Sequence, residues 1–155
     1  MSDLIQTDHP LTEHQRANLE IVLDMIIPAS DDGRMPSARD VGFDVFLVEF
    51  ERDVEQIGRC LDLIENTTGE THNQPFAELG AGARQSLIEE LRHRAPELFG
   101  HLTRELMYCY YMDDGVLSRL GMKPGAPFPD GNTVVPGDLT LLDPVRARGK
   151  IWRDT

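Results

Sequence analysis

The sequence predicts an all-α protein, a single domain of about five helices followed by a long irregular C-terminal segment. Apolar residues recur at helical spacing in several stretches of residues 12–120, and no stretch has a convincing strand pattern. Residues 121–155 instead hold five of the ten prolines and five glycines, which leave no useful period. We therefore divide the chain into an N-terminal arm (1–11), a helical body (12–120) and an irregular segment (121–155).

The first two helical stretches lie in residues 12–64. Thr12 and Gln15 form a capping box that begins the first helix, and Pro28 ends it. Turn-forming residues occupy 28–36, and Ser37 with Asp40 gives the next N-cap signal. The second stretch is either one long helix or two helices with a kink near residues 51–53. Its apolar face is predicted to contain Val41, Val45, Val48, Val54, Ile57, Leu61 and Ile64, with Phe46 and Phe50 as further members.

Three more helical segments are predicted after a polar loop at residues 66–74. Pro75 opens a segment that becomes helical by Ala83. Pro96 starts the next helix, because proline is tolerated at the first helical position. A short helix at residues 116–120 is expected to be capped by Asp114 and stopped by Gly121.

The irregular segment is more apolar than a solvated tail. Its apolar residues include Leu139, Leu141, Leu142, Val145 and the chain's only tryptophan, Trp152. We expect residues 139–142 and Trp152 to pack on the helices, so that the segment wraps the body. A basic cluster surrounds Trp152, and docking on the acidic body is favoured over contact with an acidic partner. The cluster consists of Arg146, Arg148, Lys150 and Arg153.

The protein carries a formal net charge of -12, with 27 acidic and 15 basic residues. Residues 121–155 hold five basic and four acidic side chains, so the preceding residues carry about -13. Such a body repels nucleic acid and anionic membranes, and a basic protein surface is the expected partner. No apolar run approaches the roughly 20 residues that span a bilayer. Because no signal peptide or twin-arginine motif is visible, we expect a cytoplasmic protein.

The two cysteines, Cys60 and Cys109, have no CxxC spacing. We interpret them as free thiols on core faces, with a single disulfide as the alternative.

A metal site has few candidates. Glu90 and His93 have the Glu-x-x-His spacing of carboxylate-bridged metal bundles, but the chain lacks the second such motif that these sites need. His101 and Glu105 are four residues apart, which equally describes a solvated helix face. We therefore assign no metal and no catalytic residue, and keep these four side chains for an alternative hypothesis.

Three tyrosines near the end of a predicted helix point to different faces. They are Tyr108, Tyr110 and Tyr111, and at least one is expected to be exposed. Tyrosine is enriched at protein interfaces. The candidates for a partner interface are Tyr108, Tyr111, Trp152, Arg146 and Arg148.

Several motifs occur in an order that resembles a known family. The chain contains Ile26-Ile-Pro28-Ala-Ser-Asp31 and Pro36-Ser-Ala-Arg-Asp-Val-Gly42. Further along are Phe76-Ala-Glu-Leu79, Tyr110-Tyr-Met-Asp-Asp114, Val116-Leu-x-x-Leu-Gly121 and Leu141-Leu-Asp-Pro-Val-Arg-Ala-Arg148. Their order and spacing resemble the gluconate 2-dehydrogenase subunit 3 family over nearly the whole chain.

The resemblance implies a small accessory subunit of a flavin-dependent dehydrogenase that oxidises sugars, sugar acids or polyols. Flavin adenine dinucleotide (FAD) would lie in the large subunit, of the glucose-methanol-choline (GMC) oxidoreductase type, and a cytochrome subunit often accepts the electrons. Many members bear a twin-arginine export signal, which this chain lacks. The resemblance therefore points to a role in folding or stabilising the large subunit.

The leading hypothesis is a non-catalytic subunit that binds a flavin dehydrogenase. It would bind through the exposed tyrosines, the 28–36 turn or the C-terminal segment, and no cofactor is expected in this chain. One alternative is a small metal-dependent helical enzyme that uses Glu90, His93, His101 or Glu105. Another is a self-associating helical protein, such as a homodimer, without a flavoprotein partner.

Overall fold

The computed structural model describes residues 10–125 and 137–148, and the chain divides into two units. The first unit, Met1–Pro124, holds six α-helices in its described part. They are α1 (Glu13–Ile26), α2 (Phe43–Glu49), α3 (Val54–His72), α4 (Ala81–Arg94), α5 (Pro96–Met112) and α6 (Asp114–Arg119). Short 3₁₀ turns at Ala38–Asp40 and Phe76–Glu78 precede α2 and α4. Residues 10–125 and 137–148 contain no strand, and the predicted all-α class is confirmed.

Helix α1 begins at the predicted capping box. The Thr12 hydroxyl accepts a hydrogen bond from the Gln15 amide at 3.1 Å, and the Gln15 side chain accepts one from the Thr12 amide at 3.0 Å. These reciprocal bonds satisfy two amides that the helix itself leaves unpaired. The helix ends at Ile26, just before Pro28, as the sequence predicts.

The second helical stretch consists of two helices, α2 and α3, and is not one long helix. Gly42, which precedes α2, has a φ of 67°. This is a left-handed conformation that glycine adopts without steric cost. Glu51 also has a positive φ, of 48°, in the break between the helices. Asp53 then caps α3 by accepting a hydrogen bond from the Gln56 amide at 3.2 Å. Ser37 caps a 3₁₀ turn and not the predicted helix.

The predicted polar loop at residues 66–74 is wrong. Helix α3 continues to His72, and Asn73 ends it in a left-handed conformation with a φ of 53°. Thr68 is fully buried, and its hydroxyl donates a hydrogen bond to the carbonyl of Ile64 at 2.7 Å. Because this hydroxyl is satisfied within the helix, the polar residues extend α3 instead of ending it.

Helix α6 begins two residues before its predicted start. Its N-cap is Asp113, not Asp114, and the Asp113 carboxylate accepts a hydrogen bond from the Val116 amide at 2.8 Å. Gly121 follows the helix with a φ of 78°, in agreement with its predicted role as the stop.

The centre of the core lies between α3 and α5. Helix α3 packs against α5, α1 and α4, while α2 packs against α5. Fully buried side chains at this centre include Ile57, Leu61, Ile64, Leu102 and Leu106. Burying such a side chain contributes about 1.5–3 kcal/mol. This packing fixes α5 as the support for α2, on which the candidate site depends.

The second unit, Gly125–Thr155, is described at Gly125 and at residues 137–148. It contains a 3₁₀ turn at Leu139–Leu142 and a short helix α7 (Asp143–Ala147). Asp138 caps the turn by accepting a hydrogen bond from the Thr140 amide at 3.0 Å. Part of the segment predicted to be irregular is therefore helical. Trp152 lies outside the described residues, and the wrapping of the body by this segment stays a prediction.

In the part of the chain that the structure describes, no helix combines the length and the apolar character needed to cross a membrane.

Candidate partner interface

The four candidate metal ligands do not meet in one site. Glu90 and His93 are exposed on α4, where Glu90 pairs with Arg94 at 3.2 Å. His101 and Glu105 are instead buried on α5. Within residues 10–125 and 137–148, no three His, Cys, Asp or Glu side chains lie close enough together to hold a metal ion.

Both imidazole nitrogens of His101 have partners in the protein. Its Nε2 lies 3.3 Å from the carbonyl oxygen of Asp53, and its Nδ1 lies 2.8 Å from an Arg104 guanidinium nitrogen. The tautomer with its proton on Nε2 satisfies both contacts, since Nε2 donates and Nδ1 accepts. This arrangement leaves no ring nitrogen directed at an open site.

Glu105 is an acceptor for Arg52, which lies in the break between α2 and α3. The Nε of Arg52 donates a hydrogen bond to Oε2 of Glu105 at 2.5 Å, and the Glu105 side chain is only 4% exposed. This hydrogen bond, opposed by partial burial, raises the pKa of Arg52 above its ordinary value. The predicted solvated position of Glu105 is wrong, because a residue distant in the sequence covers it.

The Arg52 guanidinium also contacts two aromatic rings. Its central carbon lies 5.9 Å from the ring centre of Phe46 on α2 and 5.6 Å from that of Tyr108 on α5. Both distances are within the range of cation–π attraction. Arg52 therefore joins α2 to α5 through charge and ring contacts together.

The three tyrosines divide between core and surface, which confirms that at least one is exposed. Tyr110 is 2% exposed and donates its hydroxyl hydrogen to the carbonyl of Pro36 at 2.9 Å. Tyr108 and Tyr111 are about half exposed. The 28–36 turn is tied to the helices by Tyr110 and by Arg119, which donates to the carbonyl of Arg34 at 2.9 Å.

Helix α2 exposes apolar side chains beside α5. Its buried side consists of Phe43, Phe46 and Leu47. Val45 and Val48 of α2, Phe50 just after it, and Tyr108 and Met112 of α5 are each about half exposed. We call these five residues the α2–α5 face. Because they project from two packed helices, these side chains are the candidate contact surface for another molecule.

A groove of about 350 Å³ adjoins the α2–α5 face, and Val45, Phe50 and Met112 of that face line it. Its apolar lining consists of Val41, Val45, Phe46, Phe50, Cys109 and Met112. Two acidic residues, Glu49 and Asp113, also line it, and no cationic residue in the described chain does. The groove is therefore an apolar depression with negative charge at its margin.

The negative field reaches the thiol of Cys109. Burial, followed by the negative charges of Asp113 and Asp44, raises the pKa of this thiol to about 12. Cys60 is buried away from such charges, and burial alone raises its pKa to about 12. Both cysteines are free and buried, as the first interpretation of the sequence expected.

Two other candidate interface residues, Arg146 and Arg148, lie in the second unit. Both are exposed, and Arg146 pairs with Asp143 at 3.2 Å. Exposed apolar side chains accompany them, namely Leu139, Leu141, Leu142 and Val145. Trp152, the remaining candidate, lies outside the described residues.

Helical spacing did not reveal most of the α2–α5 face. It placed Val45, Val48 and Phe50 on the apolar face, but these three are about half exposed. Phe46, also predicted there, is buried, and Phe43 and Leu47 complete the buried side. The available signal was that α2 is apolar nearly all round, which a single buried stripe does not explain.

The described residues form a small all-α protein that exposes apolar side chains on α2 and α5. A sequence model of one family, described as gluconate 2-dehydrogenase subunit 3, matches residues 13–122. The chain belongs to this family, and the resemblance in the sequence is confirmed. The match spans α1 to α6, and the Leu141–Arg148 motif lies outside it. Searches of curated proteins and of solved structures returned no significant match.

Proposed function

We propose that this protein is a non-catalytic accessory subunit of an FAD-dependent dehydrogenase. It binds and stabilises, or helps to mature, a GMC-type large subunit that oxidises sugars, sugar acids or polyols. The observation that carries the proposal is the α2–α5 face, exposed on a chain whose family is named for a dehydrogenase subunit. The complex includes a cytochrome subunit as electron acceptor where the organism supplies one, and it assembles in the cytoplasm.

The composition of the α2–α5 face suits a protein partner. Aromatic residues and methionine are enriched at the centres of protein interfaces, and this face offers Phe50, Tyr108 and Met112. Covering apolar surface contributes about 25 cal/mol for each Å² removed from water. A partner that binds only in its native state is stabilised by mass action, without any chemistry in this chain.

We propose that the flavin lies in the partner and not in this chain. The sequence has no GxGxxG motif, and its described residues contain no strand on which such a motif would lie. The candidate ligands of the metal-enzyme alternative are either exposed on α4 or engaged by Asp53, Arg104 and Arg52. No specific observation therefore favours an enzyme.

Co-expression with the flavin dehydrogenase of the same genome tests the proposal. We expect more soluble large subunit, a higher ratio of FAD to protein and more dehydrogenase activity when this chain is present. The variant V48S/M112S removes two exposed apolar side chains of the α2–α5 face without touching the buried side of α2 or the Arg52 contacts. With this variant, most of the increase in soluble large subunit, FAD content and dehydrogenase activity should be lost. A large subunit that is equally soluble, flavinated and active without this chain would contradict the proposal.

A further inference from the structure

We propose that the groove of the α2–α5 face receives an apolar segment of the large subunit that is flanked by lysine or arginine side chains. This inference rests on the proposed function and adds the chemistry of the partner segment. The evidence is the pairing of an apolar floor with an acidic margin.

The apolar floor selects for apolar side chains. Val45, Phe46, Phe50 and Met112 line the groove, and the Phe46 and Phe50 rings lie 5.1 Å apart. A methionine beside two aromatic rings adapts to different apolar shapes, because its side chain is unbranched and flexible. The volume of about 350 Å³ is open to the surface from which Val45, Phe50 and Met112 protrude.

The acidic margin selects for positive charge in the same segment. Glu49 and Asp113 line the groove, and Glu51 follows Phe50 at an exposed position. After burial, the charge of Asp113 is the next cause that raises the pKa of the Cys109 thiol, which also lines the groove. An acidic occupant would meet like charges, which costs affinity and slows encounter.

The neighbouring arginines do not line the groove. Arg52 packs on Phe46 and Tyr108 and pairs with Glu105, which Arg104 also approaches at 3.8 Å. Among the described residues, the lining itself contains only the acidic Glu49 and Asp113 as charged residues. The groove therefore keeps a net negative margin. A second copy of this chain is disfavoured as the occupant, because the same acidic residues would face each other across a symmetric contact.

The kinetics of complex formation test this inference with the full chain and its FAD-loaded large subunit. Glu49→Lys reverses a charge at the groove, and Glu89→Lys makes the same change at an exposed position of α4. We expect Glu49→Lys to lower the association rate constant about tenfold at low salt. The loss should shrink as salt rises from about 0.05 M to 0.5 M, since salt screens exposed charges. Glu89→Lys should associate at nearly the wild-type rate.

A second pair of variants separates the apolar contribution from the charge. Val45→Lys and Val45→Glu both place a long charged side chain at a half-exposed position of the groove. The inference expects weaker binding by both variants, with the larger loss for Val45→Lys. If the two variants lose equal affinity at every salt concentration, the inference that the bound segment carries basic residues is wrong.

Wild-type binding by both Val45 variants would overturn the groove as the docking site while leaving the proposed function intact. The absence of any wild-type complex would overturn both proposals. Sedimentation of the chain alone completes the test, because a dimer disrupted by Val45→Lys would assign the groove to self-association.

Discussion

The Nε of Arg52 lies 2.5 Å from Oε2 of Glu105, and this contact joins the break between α2 and α3 to the middle of α5. It explains how a glutamate with metal-ligand spacing serves a structural role. The same guanidinium contacts Phe46 and Tyr108. Arg52 thus helps to hold together the two helices that form the α2–α5 face.

Substitution of Glu105 should destabilise the fold. Glu105→Gln removes the charge that accepts from Arg52, and we expect the free energy of unfolding to fall by about 1–3 kcal/mol. The control is Glu90→Gln, because Glu90 pairs with the exposed Arg94 one turn away on α4. This change should lower the free energy of unfolding by less than about 0.5 kcal/mol. Urea denaturation measures both variants. Equal stability of Glu105→Gln and the wild type would contradict the structural role.

Loss of the Tyr110 hydroxyl should destabilise the fold more than loss of the Tyr111 hydroxyl. Tyr110→Phe leaves the carbonyl of Pro36 without this donor, so we expect a loss of about 1 kcal/mol. Tyr111→Phe changes a half-exposed residue and should stay within about 0.5 kcal/mol of the wild type. The two unfolding midpoints in urea provide the comparison. A larger effect at Tyr111 would show that the wrong tyrosine has been placed in the core.

The Glu65 carboxylate should make stability depend on acid pH. Burial raises the pKa of Glu65, but hydrogen bonds from the Asn18 side chain, the Phe76 amide and His14 outweigh it, and the pKa lies below its ordinary 4.5. A lowered pKa stabilises the fold above pH 4.5, and this contribution is lost as the pH falls through the folded-state value. Glu65→Gln should therefore be less stable than the wild type near neutrality, by about 1–2 kcal/mol.

The gap between the wild type and Glu65→Gln should narrow as the pH falls to about 3. Urea unfolding at a series of pH values measures this gap. A gap that stays constant down to that pH would show that Glu65 has no linked stabilising role.

The cysteines should be unreactive in the folded protein. Because burial raises the pKa of both thiols to about 12, almost no thiolate is present near neutral pH. We expect Ellman's reagent to titrate both free cysteines rapidly in denaturant and neither at a comparable rate in native buffer. Rapid reaction of either thiol in the native protein would contradict its buried position.

The sequence predicted most helix positions because local signals decide them. The capping box at Thr12, the proline at position 96 and the stop at Gly121 all lie where expected. The failure at residues 66–74 has a local cause as well. The polar composition of this stretch is typical of a loop. In the structure, however, the hydroxyls of Thr68 and Thr71 each donate a hydrogen bond to the carbonyl four residues earlier, at 2.7 Å, so the helix accommodates them.

The candidate site was less predictable because tertiary contacts decide it. Spacing alone could not show that Arg52 would reach Glu105, since 53 residues separate them. Nor could it show which side of α2 faces α5, because Val45 and Phe46 are neighbours of similar apolar character. Tyr108 and Tyr111 were predictable as interface candidates because three tyrosines within four residues of a helix point to different faces, so they are not all buried.

The thermal unfolding of the FAD-loaded large subunit, measured with increasing amounts of this chain, tests the central claim most directly. A subunit that binds the native partner should raise the unfolding midpoint with concentration, by the equivalent of about 2.7 kcal/mol at a hundred times the dissociation constant. The V48S/M112S variant should give a much smaller rise at the same concentrations. No rise with the wild-type chain, or an equal rise with this variant, would contradict the account.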